Sequence, residues 1–180
     1  MTDTTVLARM FNNQALITLD EHYSRKKAVL VEHGTEGSVL EILGIPEDAI
    51  IIDIDASFTN TNLFDNTSGE CKRADYLIIS EQKRVALFIE MKKGNPDTSS
   101  IIKQLKGSLC VFEYCQVIGR EFFYEPEFLG DYKKRFVAFK QVNLTQRKTK
   151  IEKGVGMHDS PESLLKIKWA KTIEFNKISA

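Results

Sequence analysis

Two apolar runs joined by four polar residues constrain this chain more than any other feature. Asp75-Tyr-Leu-Ile-Ile-Ser80 and Val85-Ala-Leu-Phe-Ile-Glu-Met-Lys92 flank Glu81-Gln-Lys-Arg84, a connection of hairpin length. Residues two apart in a strand share a face, so Glu90 and Lys92 point one way while Ile89 and Met91 point into the opposite layer. A four-residue loop pairing Ser80 with Val85 and a two-residue loop pairing Glu81 with Arg84 give the same register. Either one sets Asp75 opposite Glu90, with Cβ atoms roughly 4.5–5.5 Å apart. Two carboxylates that close repel unless positive charge lies between them. A divalent cation suits the position, because Mg²⁺ takes carboxylate oxygens at about 2.0–2.1 Å and keeps several waters. Lys92, one pleat further on, can reach a water or phosphate oxygen at such an ion.

The rest of the chain frames this hairpin. Val6, Leu7, Met10 and Phe11 suggest a short amphipathic helical segment, and Glu36 to Leu43 reads as a helix stopped by Gly44. Ile50 to Ala56 is rich in β-branched residues and reads as a strand, whereas Phe58 to Gly69 is a loop of Thr, Asn, Ser and Gly. A helix is expected from about Thr98 to Ile118, capped by Asp97 or Thr98, with Ile101, Leu105, Leu109 and Phe112 on one face. Arg135 to Lys140 reads as a further strand, and a last helix is expected to start at Ser160-Pro-Glu. A length of 180 residues suits one domain over 1–180, with a core at about 36–140.

Charge is balanced overall, with 25 basic and 25 acidic side chains, which excludes a uniformly basic nucleic-acid coat. The distribution is uneven. No Lys or Arg occurs from Ala28 to Glu70, whereas between Asp131 and Lys153 eight basic residues face only Asp131 and Glu152. That surplus is a candidate phosphate-binding surface, with Arg147, Lys148 and Lys150 as its central residues and Lys93 added beside the hairpin. Three cysteines without CxxC spacing argue against a disulfide scaffold. No apolar run approaches the ~18 residues of a membrane span, and Met1-Thr-Asp-Thr-Thr lacks the character of a signal peptide. A cytoplasmic location without membrane contact is the expectation.

Asp75 followed by Glu90-x-Lys92 at the end of an apolar strand resembles the signature of the PD-(D/E)XK nuclease superfamily, which includes restriction endonucleases and Holliday junction resolvases. Its core runs helix, three strands, helix, strand, matching the order read from Glu36 to about Lys140. The resemblance implies an α/β, restriction-endonuclease-like fold (αβββαβ) in which a mixed sheet is flanked by helices. It implies that Asp75 and Glu90 hold Mg²⁺ or Mn²⁺, that the Met91 carbonyl is a further ligand, and that Lys92 orients or deprotonates the attacking water. It also implies a Glu on the first helix, for which Glu41 is the candidate and Glu36 and Glu32 are rivals. Gln104 matches the polar residue expected on the helix after the Lys. Ala74 stands where the pattern often has Pro.

The expected function is metal-dependent hydrolysis of phosphodiester bonds, with DNA favoured over RNA, and many small nucleases of this type resemble dimers. The alternative is an inactive nuclease-like fold serving as a nucleic-acid- or protein-binding module. Metal binding separates the two.

Overall fold

Strands outnumber helices along this chain, and the one long helix lies between two of them. The computed structural model describes residues 1–94, 96–141, 150–152, 157–168 and 171–180. Helix α1 (Asp3–Met10) is capped by the Thr2 hydroxyl, which accepts from the Thr5 amide. Strands β1 (Asp20–His22), β2 (Arg25–Val31), β3 (Val39–Ile45) and β4 (Ile50–Asp53) follow, then a helical turn α2 (Ile54–Ser57). Next come β5 (Tyr76–Ser80), β6 (Val85–Lys93), the long helix α3 (Thr98–Phe123), β7 (Lys133–Gln141), β8 (Lys150–Glu152), β9 (Leu165–Lys168) and β10 (Thr172–Glu174).

The result is an α/β fold with two mixed sheets. The larger has the order β4-β5-β6-β7-β9-β8, and the smaller β1-β2-β3-β10. β4, β5 and β6 form an antiparallel meander, β7 returns parallel to β6 after α3, and β9 adds parallel to β7. One core lies between the larger sheet and the helices, where Val6, Leu7, Ile101, Leu105 and Phe112 meet Leu77, Ile79, Ala86, Phe88 and Phe136. The second lies between the sheets, where Ala28, Leu30, Leu40 and Ile42 meet Ile78, Leu87, Ile89, Val137 and Phe139. β6 is thus covered on both faces, which is why its sequence is an unbroken apolar run. Phe88 anchors the helix-side core, stacked on Phe136 at 4.6 Å and edge-on to Phe112 at 5.8 Å. Among the described residues no helix is long and apolar enough to cross a membrane.

Two expected helices are strands. Residues 39–45 alternate with period two: Leu40 and Ile42 are buried, with Val39, Glu41 and Leu43 between them more exposed. Pairing with β2 on one side and β10 on the other satisfies this backbone, so the segment is the middle of a sheet. Gly44, expected to stop a helix, instead takes φ +69° inside the strand, near the bulge between Lys26 and Lys27. At the other end, Ser160–Ser163 closes a turn through its own hydroxyls, and Leu165–Lys168 becomes β9 with Ile167 buried. The helix that precedes the β4–β6 meander is therefore α1.

Candidate functional site

The hairpin register places the two acids opposite each other as expected. Ser80 pairs with Val85 and Tyr76 with Ile89, so Asp75, one residue before β5, faces Glu90. Three contacts fix Asp75. Its carbonyl accepts from the Ile54 amide at 2.9 Å, tying it to the β4–α2 junction. The preceding Ala74 amide donates to the Ser108 hydroxyl on α3 at 2.7 Å. Its own Oδ2 accepts from the Met91 amide at 2.6 Å. Gly107 allows the helix this close: a Cβ there would fall on the Lys72 carbonyl oxygen. Gly107→Ala is accordingly expected to destabilise the fold by about 1–3 kcal/mol through overpacking, read as a lower midpoint in denaturant melts. A melt unchanged from the native sequence would show that α3 does not hold the Asp75 strand.

Glu90 carries the tension of the site. It is 0% exposed, and neither of its oxygens has a partner of hydrogen-bond geometry. Lys92 Nζ stands 2.7 Å from Oε1 and supplies the nearest positive charge. Burial raises the pKa of Glu90 to about 8, with the Asp75 charge adding to the rise and Lys92 opposing it. Burial likewise raises Asp75 to about 6 against the pull of the Met91 amide. Burial would lower Lys92, but the charges of Glu90, Asp75 and Glu32 outweigh it and the net shift is upward. Lys92 therefore stays an ammonium.

The other expected site residues divide. Gln104, on the second turn of α3, has a buried Oε1 without a hydrogen-bond partner. Glu41 does not join: it lies in β3 of the smaller sheet, where its carboxylate takes Lys27 Nζ at 3.4 Å and the Thr172 hydroxyl at 3.3 Å. The reason is the strand identity of residues 39–45, which removes the first-helix position assigned to it. Glu36 is exposed and contributes only its carbonyl, to Lys93 Nζ. Glu32 is the acid of the three that reaches β6. It is buried, accepts from the Ser38 hydroxyl at 2.8 Å and from the Lys93 amide at 3.2 Å, and its charge acts on Asp75 and Lys92. Met91 turns its amide to Asp75. Lys93 is exposed and held against the 32–38 turn, Arg147 and Lys148 lie outside the described residues, and Lys150 opens β8.

Asp53 and Asp55 alternate along the 50–56 run, a pattern that suits the site and the surface equally, and Asp55 is the one that approaches the acids. Its amide lies 3.4 Å from the Asp75 carbonyl, and its charge raises both Asp75 and Glu90. The signal for it was the Asp53-Ile-Asp55 alternation after an apolar run. Its partner turned to the other side: Asp53 caps α2 through the Ala56 amide and holds His33 Nε2 at 2.6 Å.

Among the described residues no cluster of three or more His, Cys, Asp or Glu side chains forms a ready-made metal cage. Two carboxylates with waters completing the shell is nonetheless the habit of Mg²⁺. The donor set fits such an ion, being all oxygen and acidic, with the Lys92 ammonium 2.7 Å from Glu90 Oε1 beside it. In comparisons with known proteins, no family model, no curated protein and no solved structure matches the chain.

Proposed function

We propose that this chain is a nuclease of the PD-(D/E)XK type, hydrolysing phosphodiester bonds in nucleic acid, DNA by preference, with Mg²⁺ or Mn²⁺. The observation that carries the reading is Glu90, a fully buried carboxyl set opposite Asp75, whose nearest positive charge is the Lys92 ammonium at 2.7 Å on the same face. Two buried acids facing each other destabilise the fold when both are ionised, and a bound cation would relieve that repulsion. The element order supports the same reading: α1, the β4–β6 meander, α3, then β7 parallel to β6 follows a restriction-endonuclease-like core, with β1–β3 entering between α1 and β4.

Asp75 and Glu90 would hold the ion, and when bound it would supply a more acidic water and neutralise charge building on the phosphorus oxygens. Lys92, charged at neutral pH, would position the attacking water or a phosphate oxygen by donating a hydrogen bond. Gln104, with its buried Oε1 unpaired, would accept from that water or from a hydroxyl beside it. The rival reading, an inactive binding module, draws on the Glu90–Lys92 ion pair, which partly balances the acid without metal.

Incubation of the purified protein with single- and double-stranded DNA and RNA decides between them. Cleavage with Mg²⁺ or Mn²⁺ that stops on adding chelator is the expected result. Intact substrates under every metal condition would remove the enzymatic reading.

A further inference from the structure

The outward face of α3 carries apolar side chains that no described residue covers. Its inner face buries Ile101, Leu105, Ser108, Phe112 and Cys115. At about 100° per residue, Lys103, Cys110, Tyr114, Val117 and Glu121 share an arc of roughly 60° on the opposite side. All five are exposed, Tyr114 by 57% and Val117 by 42%. Leu63 and Phe64, on the loop after α2, extend the patch and are exposed by 76% and 48%. Leu63, Phe64, Cys110 and Tyr114 also share the wall of a cavity of about 720 Å³, together with Phe58 and Val111. Single exposed apolar residues are ordinary, but a contiguous set around a cavity marks a contact surface.

The charges at the two ends of this stripe identify what fits it. Lys103 opens the stripe and Glu121 closes it, and neither carries an ion pair among the described residues, whereas the flanking Lys106 takes Glu162 and Glu113 approaches Lys134. A second copy of α3 laid antiparallel across the first, with the two-fold axis passing at Phe112, pairs residues equally far on either side of that position. Lys103 and Glu121 are each nine positions from Phe112, so this pairing joins them at both ends. Cys110 and Tyr114 stand two positions either side, so each Tyr114 ring meets the small Cys110 side chain at the mouth of the other copy's cavity. Lys103, Cys110 and Val117 recur every seven residues, which keeps the seam aligned along a second helix. One patch thus complements itself in shape and in charge, as a two-fold interface requires. A parallel pairing would instead set Lys103 against Lys103 and Glu121 against Glu121.

We propose that α3 and the Leu63–Phe64 loop form a two-fold interface with a second copy of this chain, in which antiparallel α3 helices place Tyr114 in each other's cavities and Lys103–Glu121 ion pairs close both ends. Asp75, Glu90 and Lys92 take no part, so the interface goes beyond the nuclease reading and does not depend on it. The stripe runs about 27 Å along one helix, which with one loop stands at the small end of specific interfaces. The dimer is accordingly weak, with an expected dissociation constant of about 1–100 μM.

The test is sedimentation velocity of the full chain from about 1 to 500 μM, a range that brackets the expected constant. The native chain is expected to pass from monomer to dimer across it, and to do so less readily at high salt, where the end pairs are screened. Tyr114→Lys is expected to raise the dissociation constant by at least about 30-fold, as loss of a central aromatic anchor does. Leu63→Lys, on the loop, should act in the same direction and serves if Tyr114→Lys folds poorly. Lys103→Glu and Glu121→Lys should each weaken the dimer about fivefold at low salt, because each sets like charges together at both ends. Mixed in equal amounts, these two variants should recover the native affinity, since every end of the mixed dimer again joins opposite charges. A loss of fold in either variant would not be rescued by mixing. A native chain that is monomeric at every concentration, a dimer untouched by Tyr114→Lys and Leu63→Lys, or charge reversals that mixing does not rescue would overturn the interface. Failure of the nuclease reading would leave all of these results in place, because none of them requires cleavage.

Discussion

Lys92→Ala is expected to lower metal-dependent cleavage by about 10²–10³-fold, the usual loss when one preorganised hydrogen-bond donor is removed. Asp75→Ala and Glu90→Ala should lose at least as much, because each removes a charge that would hold the ion. The fold should survive Lys92→Ala, since that side chain is 28% exposed and its ammonium contacts Glu90 rather than the core. Single-turnover cleavage at saturating Mn²⁺, with a melt of each variant beside it, separates loss of chemistry from loss of structure. Native turnover by Lys92→Ala at neutral pH would show that this lysine takes no part in the reaction.

Metal-free protein is expected to be more stable in mild acid than in mild base, against the usual behaviour of an acid with good native partners. Glu90 ordinarily titrates near 4.5, whereas burial holds it at about 8 in the fold. Between those values the native state binds more protons than the unfolded chain, so stability falls as pH rises through the window and levels off above it. Asp75, raised to about 6, acts in the same direction. Each pKa unit corresponds to about 1.4 kcal/mol, so a loss of at least about 2 kcal/mol from pH 5.5 to 8.5 is a cautious expectation for two coupled acids. For a chain of this size that lowers the melting temperature by about 4–8 °C.

Glu90→Gln removes most of this slope and should equal or exceed the native chain in stability at pH 8.5. Metal reverses the order. A cation at ten times its dissociation constant that binds only the native state adds about 1.4 kcal/mol. That raises the native melting temperature by about 3–6 °C, and Glu90→Gln should show little of the rise. Because the pair must give up protons to bind the ion, the metal response should grow from pH 6 to pH 8. Equal metal responses in the two proteins, or a pH profile rising steadily from 5.5 to 8.5, would sink the Asp75–Glu90 site.

The hairpin was legible because its information is local. A polar connection between two apolar runs sets the register, register sets Asp75 against Glu90, and strand alternation puts Lys92 beside them; none of these steps needs a distant residue. Helix α3 was legible for the same reason, since its apolar face repeats within one continuous segment. Residues 39–45 read wrongly because a short apolar stretch ending in Gly suits both periods. Pairing with β10, more than 120 positions away in the chain, belongs to the structure that makes it a strand, and with it Glu41 leaves the site.

Glu32 was one of three rival acids and Asp55 one of two alternating ones, and contacts between separate elements selected them. Lys92 and Lys140 lie 48 positions apart, and the parallel pairing of β6 and β7 sets them opposite each other. Local periodicity thus determined the β5–β6 hairpin, the long helix and the opposed acids, because backbone geometry repeats over a few residues. Which acids approach them and which residues face Lys92 from β7 was decided by tertiary pairing, because parallel strands are joined by long crossovers that leave register to the packing of the whole sheet.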